Sequence, residues 1–133
     1  MEQKYIEQLN KKIMEFDLNL INKDVVTKDI NSVNDLLITK EKMELWRSEM
    51  QPGAVVICAK GDRYLIVNQK TNEQKEGDEN YYIVNLNSGI ATIDGNFHKN
   101  MESLLEYLIL DFNNPIVKVT PKWVAAIAFA KII

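Results

Sequence analysis

Apolar residues recur at helical spacing from the start of the chain. Ile6, Leu9, Ile13, Phe16 and Leu20 follow one another at intervals of three or four, with Glu, Gln, Lys and Asn between them. This spacing predicts an amphipathic helix over residues 2–22. The seam is close to a heptad, which suits a helix packed on its own domain and equally a dimerisation or partner-binding helix. Asn22-Lys23-Asp24 breaks the pattern, and a second, less regular helix is predicted from Ser32 to Glu49. Val33, Leu36, Leu37, Met43 and Trp46 form its apolar side. Ser32, with Asp35 three residues on, resembles a capping box built with a shorter acid. Pro52-Gly53 then ends the helical region.

From Ala54 the period becomes extended. Ala54–Ala59 is apolar and rich in β-branched residues, Gly61-Asp62 supplies a tight turn, and Arg63–Asn68 reads as a second strand. Residues 69–80 contain no apolar side chain and predict a long exposed hairpin loop. Tyr81–Leu86 is the third strand, Asn87-Ser88-Gly89 turns it, and Ile90–Ile93 is a short fourth. Strands this close in sequence favour an antiparallel meander. Asn100 caps a helix lined on one face by Met101, Leu104, Leu105, Leu108 and Phe112, and Asn113-Asn114-Pro115 stops it. Ile116–Val119 is a fifth strand. After it, Thr120-Pro121 is a good helix start, while bulky residues alternate with small ones through Trp123–Ala130 as they would in a strand. The helix is the favoured reading of this apolar C-terminal segment. The whole is an α+β chain in a single domain. A helical arm (1–50) precedes a β-rich core (52–119), and the apolar segment (120–133) follows.

Composition changes this picture mainly by exclusion. A chain of 133 residues buries enough surface to fold without a disulfide or metal. Net charge is −3. Residues 1–50 contribute −2 and residues 51–133 contribute −1, so neither part has the basic excess that neutralises a nucleic-acid backbone. The start of the chain is charged and has no signal-peptide stretch, and the longest apolar run, Trp123–Ala130, is too short to span a bilayer. A cytoplasmic protein without membrane contact is expected. Lysine outnumbers arginine 14 to 2, with 15 isoleucines and 14 asparagines, a bias that A/T-rich codons produce and that points to a low-G+C genome.

Little chemistry is signalled. The lone cysteine, Cys58, lies in an apolar run and reads as a core residue, because a reactive thiolate needs an electropositive, partly exposed site. The lone histidine, His98, falls in the predicted turn Asp94–His98. Asp94 could orient it, but no serine or cysteine nucleophile is identifiable beside it. Asp94, Asn96 and His98 alternate like a metal loop but lack the closing glutamate of a calcium site. One cysteine and one histidine cannot build a structural zinc site. The glycines at 53, 61, 77, 89 and 95 form no phosphate-binding pattern. No cofactor and no catalytic residue is therefore assigned.

Two surface features remain. Glu76, Asp78 and Glu79 in the long loop could meet a basic partner. Arg63, Tyr64 and Tyr82, with Tyr81 nearby, could stack on bases or anchor a peptide, or they could simply pack the sheet.

The stretch Pro52-Gly53-Ala54-Val55-Val56, with Arg63–Val67, Tyr81–Leu86, Ser88-Gly89 and Ser103–Leu108, resembles an SH3-like small barrel. It is similar to small accessory proteins of phages and prophages from low-G+C Gram-positive bacteria. The resemblance covers residues 52–119 and carries over no binding residue. It implies a protein that contacts a host protein or nucleic acid. The expected function is a non-enzymatic binding or regulatory protein acting by protein–protein contact on a partner not yet identified. A nucleic-acid-binding barrel is the alternative. A homodimer through the N-terminal helix or the C-terminal segment is also open.

Overall fold

A computed structural model describes residues 2–26, 30–69, 80–87, 92–111 and 114–122. The chain is mixed α+β, with helices and turns packed on an antiparallel sheet. Its strands are β1 (Val55–Cys58), β2 (Arg63–Gln69), β3 (Asn80–Asn85), β4 (Thr92–His98) and β5 (Ile116–Thr120), arranged in the order β4-β3-β2-β1-β5. The first four form the predicted meander, and β5 returns antiparallel beside β1 with Val56 opposite Val119. Among the described residues no pairing joins β4 to β5, so the sheet is open where the strand pattern predicts a barrel.

Strand β4 is longer than its sequence suggests. The predicted turn Asp94–His98 is strand instead, paired to β3 with Ile83 opposite Asp94 and Tyr81 opposite His98. Between those pairs β4 uses more residues than β3, and the register shifts there. A bulge of this kind accommodates Gly95 and its polar neighbours without ending the ladder.

Helix α1 covers Glu2–Glu15 rather than 2–22. Side chains end it. Asp17 Oδ1 accepts from the Asn19 backbone N–H at 3.0 Å, and Asn22 Oδ1 accepts from that of Asp24 at 2.9 Å. Short polar side chains thus take backbone donors that a continuing helix would use, and Leu20 leaves the seam, 52% exposed. The second predicted helix is also divided. Asp35 accepts from the backbone N–H of Asn31 and of Ser32, the acid's half of the expected box, and starts a 3-10 turn at Val33–Leu36. Helix α2 (Lys40–Glu49) begins afresh at Thr39, whose hydroxyl accepts from the Lys42 N–H. Between the two, Asn10 of α1 holds the Ile38 backbone at both ends. Its Nδ2 donates to the Ile38 carbonyl at 3.1 Å and its Oδ1 accepts from the Ile38 N–H at 2.9 Å.

Helix α3 (Met101–Glu106) is capped by Asn100, which accepts from the Ser103 N–H at 2.8 Å, and widens into a π turn at Tyr107–Asp111. The predicted end of this helix at Phe112 and the segment from Trp123 onward lie outside the described residues, as does the loop 70–79.

One core joins these layers. Tyr5, Ile6, Leu9 and Ile13 from α1 meet Met43 and Trp46 from α2, Val56, Tyr64, Ile66 and Ile83 from the sheet, and Leu104 and Leu108 from α3 and its π turn. The heptad-like seam of α1 is therefore spent inside the chain's own core. Each such side chain contributes on the order of 1.5–3 kcal/mol of burial. Cys58 is fully buried, as its apolar run predicts, and burial, with the Asp62 charge adding, pushes its thiol up.

Polar side chains fasten the edges of that core. Gly61 has φ +98, a left-handed conformation that few other residues adopt, and a Cβ there would run into the Asn22 amide. Asn87 donates to the Gly61 carbonyl at 3.0 Å, while Asn114, only 8% exposed, accepts from the Lys60 N–H and donates to Asp62 Oδ2 at 2.7 Å. Elsewhere, Glu102 of α3 accepts from the Tyr5 hydroxyl at 2.6 Å and from Arg47 Nη2 at 2.7 Å, with the Arg47 guanidinium over the Tyr5 ring. Three helices are tied at that point.

Candidate binding site

The structure separates the aromatic cluster read from the sequence. Tyr64 is 4% exposed and belongs to the core, opposite Val56 on β1. It is corrected from a surface candidate to a packing residue. Arg63 and Tyr82 lie on the other face of the sheet, because Arg63 and Val67 share one face of β2 and Tyr82 is paired with Val67. They are four residues apart along the strand, roughly 13 Å at the usual rise. Arg63 is exposed, and its Nε donates to Asn87 Oδ1 at 3.3 Å, whereas Tyr82 is half-buried. The three therefore do not form one patch. Glu76, Asp78 and Glu79 lie outside the described residues.

His98 has a neighbour that its sequence position does not suggest. Its Nδ1 is 2.9 Å from Ser103 Oγ, and its ring lies 5.3 Å from that of Tyr107. Five residues separate the pair, across the corner from β4 into α3. A histidine ending a strand and a serine in the first turn of the following helix are the only signal that could have joined them. An imidazole and a hydroxyl at this distance can share a proton, but acyl transfer also needs an orienting group and oxyanion donors at the serine. The pair is a contact across the corner between β4 and α3. Among the described residues no group of three or more His, Cys, Asp or Glu side chains could hold a metal ion, and no helix is long and apolar enough to cross a membrane.

The feature with the shape of a site is a cavity of about 440 Å³ between the helical arm and β5. That volume is within the usual range for ligand and peptide-anchor pockets, roughly 300–1,000 Å³. Its walls come from three stretches distant in sequence: Val25, Val26 and Ile30, then Asp35 through Lys42 with Trp46, and finally Val117 and Lys118 of β5. Local chemistry explains the hollow. The turn at Asn22 is held against the end of β1 by its N–H to the Ala59 carbonyl at 2.8 Å, and the Asn10 clamp fixes the Ile38 wall. Trp46 is buried at the floor, Leu37 is exposed at the rim, and the Lys42 Nζ stands 5.6 Å from the Trp46 ring centroid.

The electrostatics of this groove are uneven. Lys42 and Lys118 are both exposed. Asp35, the acidic residue in the lining, has its carboxylate turned onto the Asn31 and Ser32 backbone N–H groups. No single motif announces the site, since its lining spans residues 25 to 118.

Fold and cavity together define a small α+β chain with a hollow between a helical arm and the last strand of its sheet order. No protein-family model, no curated protein and no solved structure matches the chain.

Proposed function

We propose that this chain is a non-enzymatic binding protein that works by protein–protein contact, with the groove between the arm and β5 as its contact site. The observation that carries this reading is the groove itself: a lining of Val25, Val26, Ile30, Trp46 and Val117 mixed with Asp35, Lys42 and Lys118, with Leu37 exposed, beside a strand at the edge of the sheet. A large side chain from a partner protein would find there the desolvated pocket that anchors most interfaces. The position of β5 beside β1, with a helix between β4 and β5, supports the likeness to SH3-like small barrels. The lysine, isoleucine and asparagine bias and that likeness together support a phage or prophage origin in a low-G+C Gram-positive bacterium and a cytoplasmic setting. The nucleic-acid reading is weaker, because Tyr64 is buried and Arg63 stands apart from Tyr82. The α1 seam, buried in the chain's own core, no longer supports a dimer through that helix.

The test is affinity capture from a low-G+C Gram-positive lysate with the wild-type chain and with Leu37→Glu, each with and without nuclease. Leu37 is at the rim, so its substitution leaves the core intact. A protein retained by the wild type after nuclease and lost with the variant is the expected result. Capture that nuclease abolishes, or that Leu37→Glu does not change, would sink the reading.

A further inference from the structure

The cavity touches Val117 and Lys118, successive residues of β5. Side chains of successive strand residues point to opposite faces of a sheet. A hollow in contact with both therefore lies against the edge of the strand and not over one face. β5 is last in the strand order and, among the described residues, pairs only with β1. An edge strand presents main-chain donors and acceptors to whatever lies beside it, and extended segments of other proteins bind such edges by adding a strand.

Charge narrows the kind of segment. Lys42 of α2 and Lys118 of β5 both line the cavity, against one carboxylate, Asp35, which accepts from backbone donors and keeps its charge. An incoming acidic group meets two ammonium groups and one carboxylate, a net attraction, whereas a basic one meets a net repulsion. The apolar floor at Trp46 asks for one bulky side chain between those charges.

Resting on the reading of the groove as the contact site, we propose that the partner is recognised through an extended acidic segment that adds as a strand to the edge of β5 and seats one large apolar side chain over Trp46. The segment's acids lie near Lys42 and Lys118, and its backbone pairs with β5 at Val117 and Lys118.

Short labelled peptides test this with the full chain, followed by fluorescence anisotropy. All share a central Val-Leu-Val, flanked by glutamates, by glutamines or by lysines, and a further glutamate peptide is N-methylated at alternate backbone nitrogens. The glutamate peptide is expected to bind. Its glutamine counterpart should bind about fivefold more weakly, since exposed charge pairs contribute modestly, and the lysine peptide more weakly still. N-methylation removes strand hydrogen bonds and should weaken binding about tenfold. Lys118→Glu, at an exposed position, should reverse the glutamate–lysine order with an unchanged circular dichroism spectrum. The proposal is overturned if the peptides bind alike, if none binds, or if the order survives both Lys118→Glu and Lys42→Glu. Should that happen while lysate capture still depends on Leu37, the acidic strand falls and the contact site stands. If capture fails as well, both fall.

Discussion

At the scale of single residues, the groups that decide this structure are polar ones placed where the backbone turns. Gly61 holds a φ of +98, with its carbonyl bonded by Asn87 and the Asn22 side chain packed where a Cβ would lie. Gly61→Ala combines an unfavourable backbone conformation with a collision at the Asn22 amide, and is expected to cost about 1–3 kcal/mol in urea denaturation. Tyr5 makes a second test. Burial, then the hydrogen bond to Glu102 and the charges of Glu102 and Glu106, outweigh the opposing effect of Arg47 and push its phenol from 10.0 up to about 12. The folded state thus holds the proton more tightly than the unfolded one. The resulting stabilisation is present in full below pH 10 and is lost as the pH climbs through 12. Tyr5→Phe should be less stable than the wild type by about 1 kcal/mol near neutrality, and the gap between their urea midpoints should close across that alkaline window. A gap that stays constant to pH 12 would show that the Tyr5 hydroxyl is not held as described.

At the scale of elements, the sequence was legible where one periodicity ran uninterrupted. The β-branched run at Val55–Cys58 and the alternation through Tyr64 and Ile66 are strands, and Asn100 caps a helix, as their patterns predict. It was misleading where residues of turn composition are held in place by a neighbour. Asp94-Gly95-Asn96 reads as a turn, yet β3 supplies a ladder that keeps it extended. The break at Ile38 is likewise set from outside, by Asn10, an asparagine that appears in the sequence as one polar residue among many on α1. Asn10→Ala leaves the Ile38 N–H and carbonyl without their partner and should cost about 1–3 kcal/mol. It should also raise hydrogen exchange at the Ile38 amide well before that at Trp46 in α2, and equal changes at the two would show that the clamp does not set the break. The candidate site was the least legible part. Its lining residues are ordinary in their local windows, and only the path of the chain between residues 25 and 118 brings them together.

At the scale of the molecule, the arm is not an appendage: its apolar face and the sheet bury one another in one core. The cavity lies where that packing is incomplete beside β5, so a partner seated there as proposed would share a wall with the docked arm. The Tyr5–Glu102 contact, spanning 97 positions, also has a consequence during synthesis. Helix α1 leaves the ribosome long before the helix that completes its surroundings. At elongation rates of about 5–20 residues per second, Leu9 and Ile13 wait on the order of 5–20 s before α3 and its π turn emerge. For that interval the apolar stripe of α1 lacks part of the surface that buries it in the folded chain, a form that chaperones and neighbouring nascent chains can engage. Translation speed across residues 15–102 therefore sets how long that stripe stays open to the wrong company.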